Sequence, residues 1–80
     1  MTTRYLLLLL NDAGVPCAWL SAPSINTLCA WLPGRCIGNE RLGQQLVTAL
    51  HDIALVPTEG RYYLGRFQEQ EAFLLAEETR

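Results

Sequence analysis

The sequence contains no lysine, one histidine and three cysteines, and each scarcity narrows the classes of function that the chain could serve. Six arginines stand against eight acidic residues, which gives a formal net charge of −2 at pH 7. The arginines are scattered along the chain and form no basic stripe of the kind that binds a phosphate backbone. The sequence therefore argues against a nucleic-acid partner.

Charged residues are also scarce. They make up 18% of the chain, against about 25% in average proteins, whereas 50% of the residues are hydrophobic. We treat residues 1–80 as one domain, and a domain this small has a large surface for its volume. An apolar composition in so small a domain predicts that a partner hides part of its surface.

The longest apolar run, Tyr5–Leu10, is too short to cross a bilayer, which needs about 20 apolar residues. Asn11 and Asp12 follow it directly, without the small-residue cleavage site that ends a signal peptide. The odd number of cysteines, without the spacing of a disulfide framework, is typical of a reducing compartment. These features predict a cytoplasmic protein that does not associate with membranes.

The same run predicts how the sheet begins. Residues 4–10 read as a strand that is apolar on both faces, and a turn over 11–14 leads into a second strand over 15–20. Pro16 places this second strand at a sheet edge, because proline donates no backbone hydrogen bond. A strand with two apolar faces must be covered on both. The helices of this short chain can cover one face, so we expect the other to meet more of this chain or another chain.

Two helices are predicted in the middle of the chain, the first ended by Pro33-Gly34 and the second spanning residues 40–53. Each carries an apolar stripe at helical spacing, formed by Ile25, Leu28, Cys29 and Leu32 in the first and by Leu42, Leu46, Ala49, Leu50 and Ile53 in the second. His51 falls on the solvent side of the second helix. Gly43 weakens that helix and indicates close packing against a neighbouring segment.

The last part of the chain is predicted to rejoin the sheet. Residues 61–67 alternate as a strand, with Tyr62, Leu64 and Arg66 on one face and Tyr63, Gly65 and Phe67 on the other. Residues 69–78 contain helix-favouring residues and a block that suits a strand, and we favour the strand of a closing hairpin. The sequence thus predicts an α+β domain: a small antiparallel sheet, made of an N-terminal hairpin plus a C-terminal strand or hairpin, with two central helices packed on one face.

Residues that could perform catalysis or bind a metal do not form a recognisable pattern. A zinc site could be assembled by number alone from Cys17, Cys29, Cys36 and His51, but the tight cysteine pair of structural zinc sites is absent. A Cys36–His51 nucleophile pair would define a small Cys/His enzyme, but its local sequence signature is missing. Otherwise we expect Cys17 and Cys29 to be small buried hydrophobic residues. We predict no enzyme, no metal and no cofactor.

Aromatic residues and arginines, which are enriched at the centres of protein interfaces, concentrate on the last clearly alternating strand. The predicted partner-binding residues are Trp31, Arg61, Tyr62, Tyr63 and Arg66. The competing interpretation is that the aromatic residues fill the core and the arginines coat the surface.

The leading hypothesis is a small regulatory or inhibitory protein (an inhibitor, an antitoxin-like protein or an adaptor) that occludes a partner protein. Its size would suit a phage or mobile-element product. Self-association as a homodimer, through the leucine-rich strand or an exposed edge, is a further expectation. The alternative is a dimeric winged-helix regulator that binds DNA, with residues 40–53 as its recognition helix.

Overall fold

The computed structural model describes residues 2–53 and 59–79. The elements in chain order are β1 (Thr2–Leu10), β2 (Pro16–Ala22), α1 (Ile25–Arg35), α2 (Glu40–His51), β3 (Gly60–Phe67) and β4 (Gln70–Thr79). The strands form one antiparallel sheet in the order β2-β1-β4-β3. The predicted α+β class is confirmed, with hairpins at both ends and β2 at an edge of the sheet.

The core lies between the sheet and the two helices. Alternate residues of β1 are buried, together with their cross-strand neighbours on β2 and β4: Tyr5, Leu7, Leu9, Leu20, Ala22, Ala72, Leu74 and Ala76. The helices complete this core with Leu28, Leu32, Leu42, Leu46 and Leu50. Small alanines beside the larger β1 side chains allow the helices to approach the sheet closely.

Helix α1 starts at a side-chain cap and runs through its proline. The Ser24 hydroxyl accepts a hydrogen bond from the Thr27 backbone N–H at 3.0 Å, as an N-cap should. The predicted end at Pro33-Gly34 is wrong, because both residues lie inside the helix. Pro33 removes only one hydrogen bond in the last turn, and the Cys36 N–H still donates to the Leu32 carbonyl at 3.0 Å.

Helix α2 ends at His51, two residues before the predicted end at Ile53. Its buried leucines belong to the predicted stripe, and His51 is exposed as expected. Gly43 is buried against the segment that precedes the helix. A Cβ atom at position 43 would lie 3.2 Å from the Cys36 Cβ, a closer contact than most Cβ atoms make, so the predicted close packing at Gly43 is present.

A bulge interrupts β3. The register with β4 shifts between Tyr63 and Gly65, so Leu64 is an extra residue in this strand. Gly65 has a φ of 139°, a conformation that other residues rarely adopt. The predicted alternation is therefore wrong beyond Tyr63, because Arg66 lies on the same face as Tyr63 and not on that of Tyr62.

Strand β4 confirms the favoured prediction for residues 69–78. It pairs with β1 on one side and with β3 on the other, and this pairing overrides the helix propensity of its Glu, Gln, Ala and Leu residues. The turn that joins it to β3 consists of Gln68 and Glu69, both with positive φ angles of 49° and 67°. Two such residues are what a tight two-residue hairpin turn requires.

Candidate protein-binding face

The helices cover one side of the sheet, and no element within residues 2–53 and 59–79 covers the other side, which we call the open face. The strand register places these apolar residues on it: Leu6, Leu8, Leu10, Trp19, Tyr63, Phe73 and Leu75. The leucines and Phe73 are half-buried among their neighbours. Trp19 and Tyr63, nearer the two edges, are 67% and 59% exposed. This agrees with the expectation that the leucine-rich strand has a second apolar face.

The widest part of the open face is a cross-strand row of four residues. Trp19, Leu8, Phe73 and Tyr63 lie side by side on β2, β1, β4 and β3. The rings of Tyr63 and Phe73 pack with centroids 5.3 Å apart and a tilt of 55°. Neighbouring strands are about 4.8 Å apart, so the row is an apolar band roughly 14 Å wide between its outer strands.

One end of the open face carries a cation beside an anion. Arg4 on β1 is paired in register with Glu77 on β4, and both are exposed. The Arg4 Nη2 group donates a hydrogen bond to the Ser21 hydroxyl at 3.3 Å. This contact holds the guanidinium over the face, where its charge remains accessible.

The other end carries a linked set of polar side chains. Arg66 Nη2 lies 2.7 Å from an Asp12 carboxylate oxygen, and Arg66 Nη1 lies 3.5 Å from a Glu71 carboxylate oxygen. The Tyr63 hydroxyl donates a hydrogen bond to the other oxygen of Glu71. That hydrogen bond, aided by partial burial and by the Glu71 charge, raises the pKa of Tyr63, and nearby Arg66 opposes the increase.

The five predicted partner-binding residues do not form one site. Arg61, Tyr63 and Arg66 lie together on the open face along β3. Tyr62 projects toward the helix side, and its hydroxyl donates a hydrogen bond to the Glu59 carbonyl at 3.3 Å. Trp31 is exposed on α1, beside a groove along the far edge of β2.

Three open-face residues were missed by the sequence argument: Trp19, Phe73 and Leu75. Alternation within each strand indicated which residues share a face of that strand. It could not indicate which faces of different strands coincide, because that depends on pairing between distant segments. The leucine run was the available signal, since its uncovered side had to continue onto the paired strands.

A cavity of about 300 Å³ lies between the sheet and the segment 36–39. It is lined mainly by apolar side chains, with Cys17, Cys36 and the Gln70 side chain among them. Cys17 is exposed, so its prediction as a buried residue is wrong. It lies near the open end of an edge strand, where its thiol donates to the Leu9 carbonyl at 3.4 Å.

The Cys36–His51 arrangement does not form in this fold. Cys36 packs against Gly43, and His51 lies more than two helical turns further along α2, about 12 Å at a rise of 1.5 Å per residue. Burial also raises the pKa of the Cys36 and Cys29 thiols, which lowers their thiolate content at neutral pH. In the part of the chain that the structure describes, no cluster of three His, Cys, Asp or Glu side chains could hold a metal ion.

Neither described helix is long and apolar enough to cross a membrane. No protein-family model matches the chain, and no curated protein or solved structure is significantly similar to it. The chemistry of the open face is therefore the basis for assigning a function.

Proposed function

We propose that this protein acts by binding another protein chain through the open face, as a small regulatory or inhibitory protein that occludes its partner. One observation carries the proposal: an apolar sheet face with a polar rim, uncovered by any described element. Soluble monomers rarely expose a continuous apolar patch of several hundred Å², and a polar rim around such a patch is typical of a protein interface.

The composition of the open face suits protein recognition. Trp19 and Tyr63 combine large apolar area with high exposure, and such aromatic residues dominate the affinity of protein interfaces. Leu8 and Phe73 lie between these two residues and form the apolar centre of the face, from which binding would displace water. The charged ends of the face would orient a partner and accelerate association more than they would tighten the complex.

No observation favours a DNA-binding function over this one. The hairpin of β3 and β4 is half of the sheet and does not project as a wing. The exposed side of α2 carries Arg41 and His51 beside Glu40, and Asp52 follows at its C-cap, so the helix has no excess of positive charge for a phosphate backbone. The three free cysteines are consistent with a cytoplasmic site of action.

The experiment is a pull-down from lysate of the source organism or its host, with the wild-type chain compared with two variants. Leu8→Glu puts a charge at the centre of the open face, whereas Thr48→Glu adds the same charge on the exposed side of α2. We expect a stoichiometric partner that the wild type and Thr48→Glu retain and Leu8→Glu loses. A partner that Leu8→Glu retains equally would refute the assignment of the open face.

A further inference from the structure

We propose that the open face is covered by a second copy of this chain, packed face to face about a two-fold axis that runs parallel to the strands between β1 and β4. The inference rests on the proposed function in one respect, namely that the open face is a protein interface. It adds the identity of the chain that occupies this face and the orientation in which it binds.

The strand order makes the central contacts of such a dimer self-complementary. Rotation about this axis places the order β2-β1-β4-β3 over its own reverse, so β1 of one copy faces β4 of the other. Residues at the same register level then meet. Leu6 faces Leu75 of the second copy, and Leu8 faces Phe73 of the second copy. Every contact occurs twice, as a two-fold interface requires.

The outer strands complete the apolar layer. Under the same rotation β2 faces β3 of the second copy, which brings Trp19 over Tyr63. These are the two large side chains that the isolated chain leaves most exposed on this face. Their contact would close the margins of the interface on both sides. Sheets that pack in this way lie about 10 Å apart, with strands at roughly 30° to one another.

The charges select this axis among the alternatives. Arg4 and Glu77 occupy the same register level on the two central strands, so the rotation brings each opposite its counter-charge on the second copy. An in-plane axis perpendicular to the strands would instead bring Glu77 toward Glu71 of the second copy, which places like charges together. At the far end the same rotation brings Leu10 over Glu71 of the second copy, and the Glu71 carboxylate keeps Arg66 of its own chain as counter-charge.

The size of the open face is sufficient for a small dimer. Four strands about 4.8 Å apart, over seven residues at about 3.3 Å each, give a face of roughly 19 by 23 Å. Two such faces amount to about 900 Å² in projection, and protruding side chains such as Trp19 increase the accessible area that is buried. The total approaches or exceeds the value of about 1,000 Å² expected for a biological interface.

The test is the mass in solution, measured by sedimentation equilibrium over micromolar concentrations. The chain has a mass of 9.0 kDa, so a dimer would have twice this mass. Arg4→Glu and Glu77→Arg should each weaken dimerisation at least ten-fold, because each places like charges opposite one another. Arg41→Glu makes the same charge change on the exposed side of α2 and should have no effect. Arg4 and Glu77 are exposed, so these variants should fold, as circular dichroism can verify.

The decisive experiment is charge complementation between the two variants. A mixture of Arg4→Glu chains with Glu77→Arg chains should form a heterodimer, and the double variant should regain the homodimer, because both restore opposite charges at each contact. Dimerisation that stays weak in the mixture and in the double variant would overturn the proposed axis. A dimer that Leu8→Glu leaves intact would overturn the use of the open face.

The two proposals fail in different ways. A wild-type chain that stays monomeric throughout this range overturns the second copy as occupant. If a different protein is then captured through Leu8, the proposed function stands. If charge complementation restores the dimer and the chain captures no other protein, the second copy is supported as the occupant of the open face. The proposal that the chain occludes a different partner is then overturned.

Discussion

The sharpest prediction for the fold concerns Leu46, which is fully buried beneath α2. Leu46→Ala removes three buried carbon atoms, worth roughly 2.4 kcal/mol at about 0.8 kcal/mol each. The cavity left behind increases the cost, and the expected loss of unfolding free energy is about 2–5 kcal/mol. An 80-residue domain has a total stability of only about 4–12 kcal/mol, so the variant should be close to unfolding.

The measurement is urea unfolding followed by circular dichroism. The variant should unfold at lower urea with an unchanged m-value, because the surface exposed on unfolding is nearly the same. A loss of about 3 kcal/mol should lower the melting temperature by roughly 12–24 °C in a domain of this size. All chains must be compared at one concentration, since dimerisation would contribute to the apparent stability.

The matched control is His51→Ala, on the exposed side of the same helix. It should change the unfolding free energy by less than about 0.5 kcal/mol. If Leu46→Ala costs under about 1 kcal/mol, or His51→Ala costs as much as Leu46→Ala, then the face of α2 that we assign to the core is wrong.

Three further predictions test local features. Ser24→Ala should lower the unfolding free energy, measured in urea, by about 1 kcal/mol because it removes the N-cap of α1. Ser24→Asp should keep most of the wild-type stability, because aspartate is also a favoured N-cap residue. Gly65→Ala should lower the unfolding free energy by about 1–3 kcal/mol because residue 65 has a positive φ. The control is Gly34→Ala in α1, where an added Cβ meets open space, and it should stabilise the fold by up to about 1 kcal/mol. Equal effects of the two substitutions in thermal melts would argue against the bulge. The pKa of Tyr63, raised by its hydrogen bond to Glu71, should fall in Glu71→Gln when its ring carbon signals are followed by NMR. Because the folded pKa lies above the ordinary value of 10.0, this contact stabilises the fold below that pH and is lost as the phenol ionises above it. An unchanged titration in Glu71→Gln would remove the hydrogen bond as the cause.

The elements that local chemistry specifies were predictable. The leucine run indicated a strand, the proline in the second strand indicated a sheet edge, and the stripe of the second helix indicated its buried side, and the structure agrees. The predicted stop at Pro33 failed because a proline in the last turn costs a single hydrogen bond, and the packing of Leu32 against the core retains that turn. The bulge in β3 was not predicted, because Leu64 and Gly65 continue the alternating pattern of the sequence.

The candidate site was predictable only in part. Arg61, Tyr63 and Arg66 were predicted from residue type and lie on the open face, and the second apolar side of Leu6–Leu10 was predicted from its hydrophobicity. The grouping of Tyr62 and Trp31 with them was not reproduced, because Tyr62 lies on the helix side and Trp31 lies on a different element. Residue type indicates what a surface can bind, but it does not indicate which surfaces are contiguous.

The sequence by itself determined the α+β class, the N-terminal hairpin and a leucine-rich first strand with two apolar faces. These follow from local propensity and from the balance between apolar residues and chain length. Only the tertiary structure decided that Leu8, Trp19, Phe73 and Tyr63 form one row, and that Arg4 and Glu77 stand side by side at its end. Those relations depend on strand register between residues as far apart as Arg4 and Glu77, which the pairing of the whole sheet sets and no local pattern encodes.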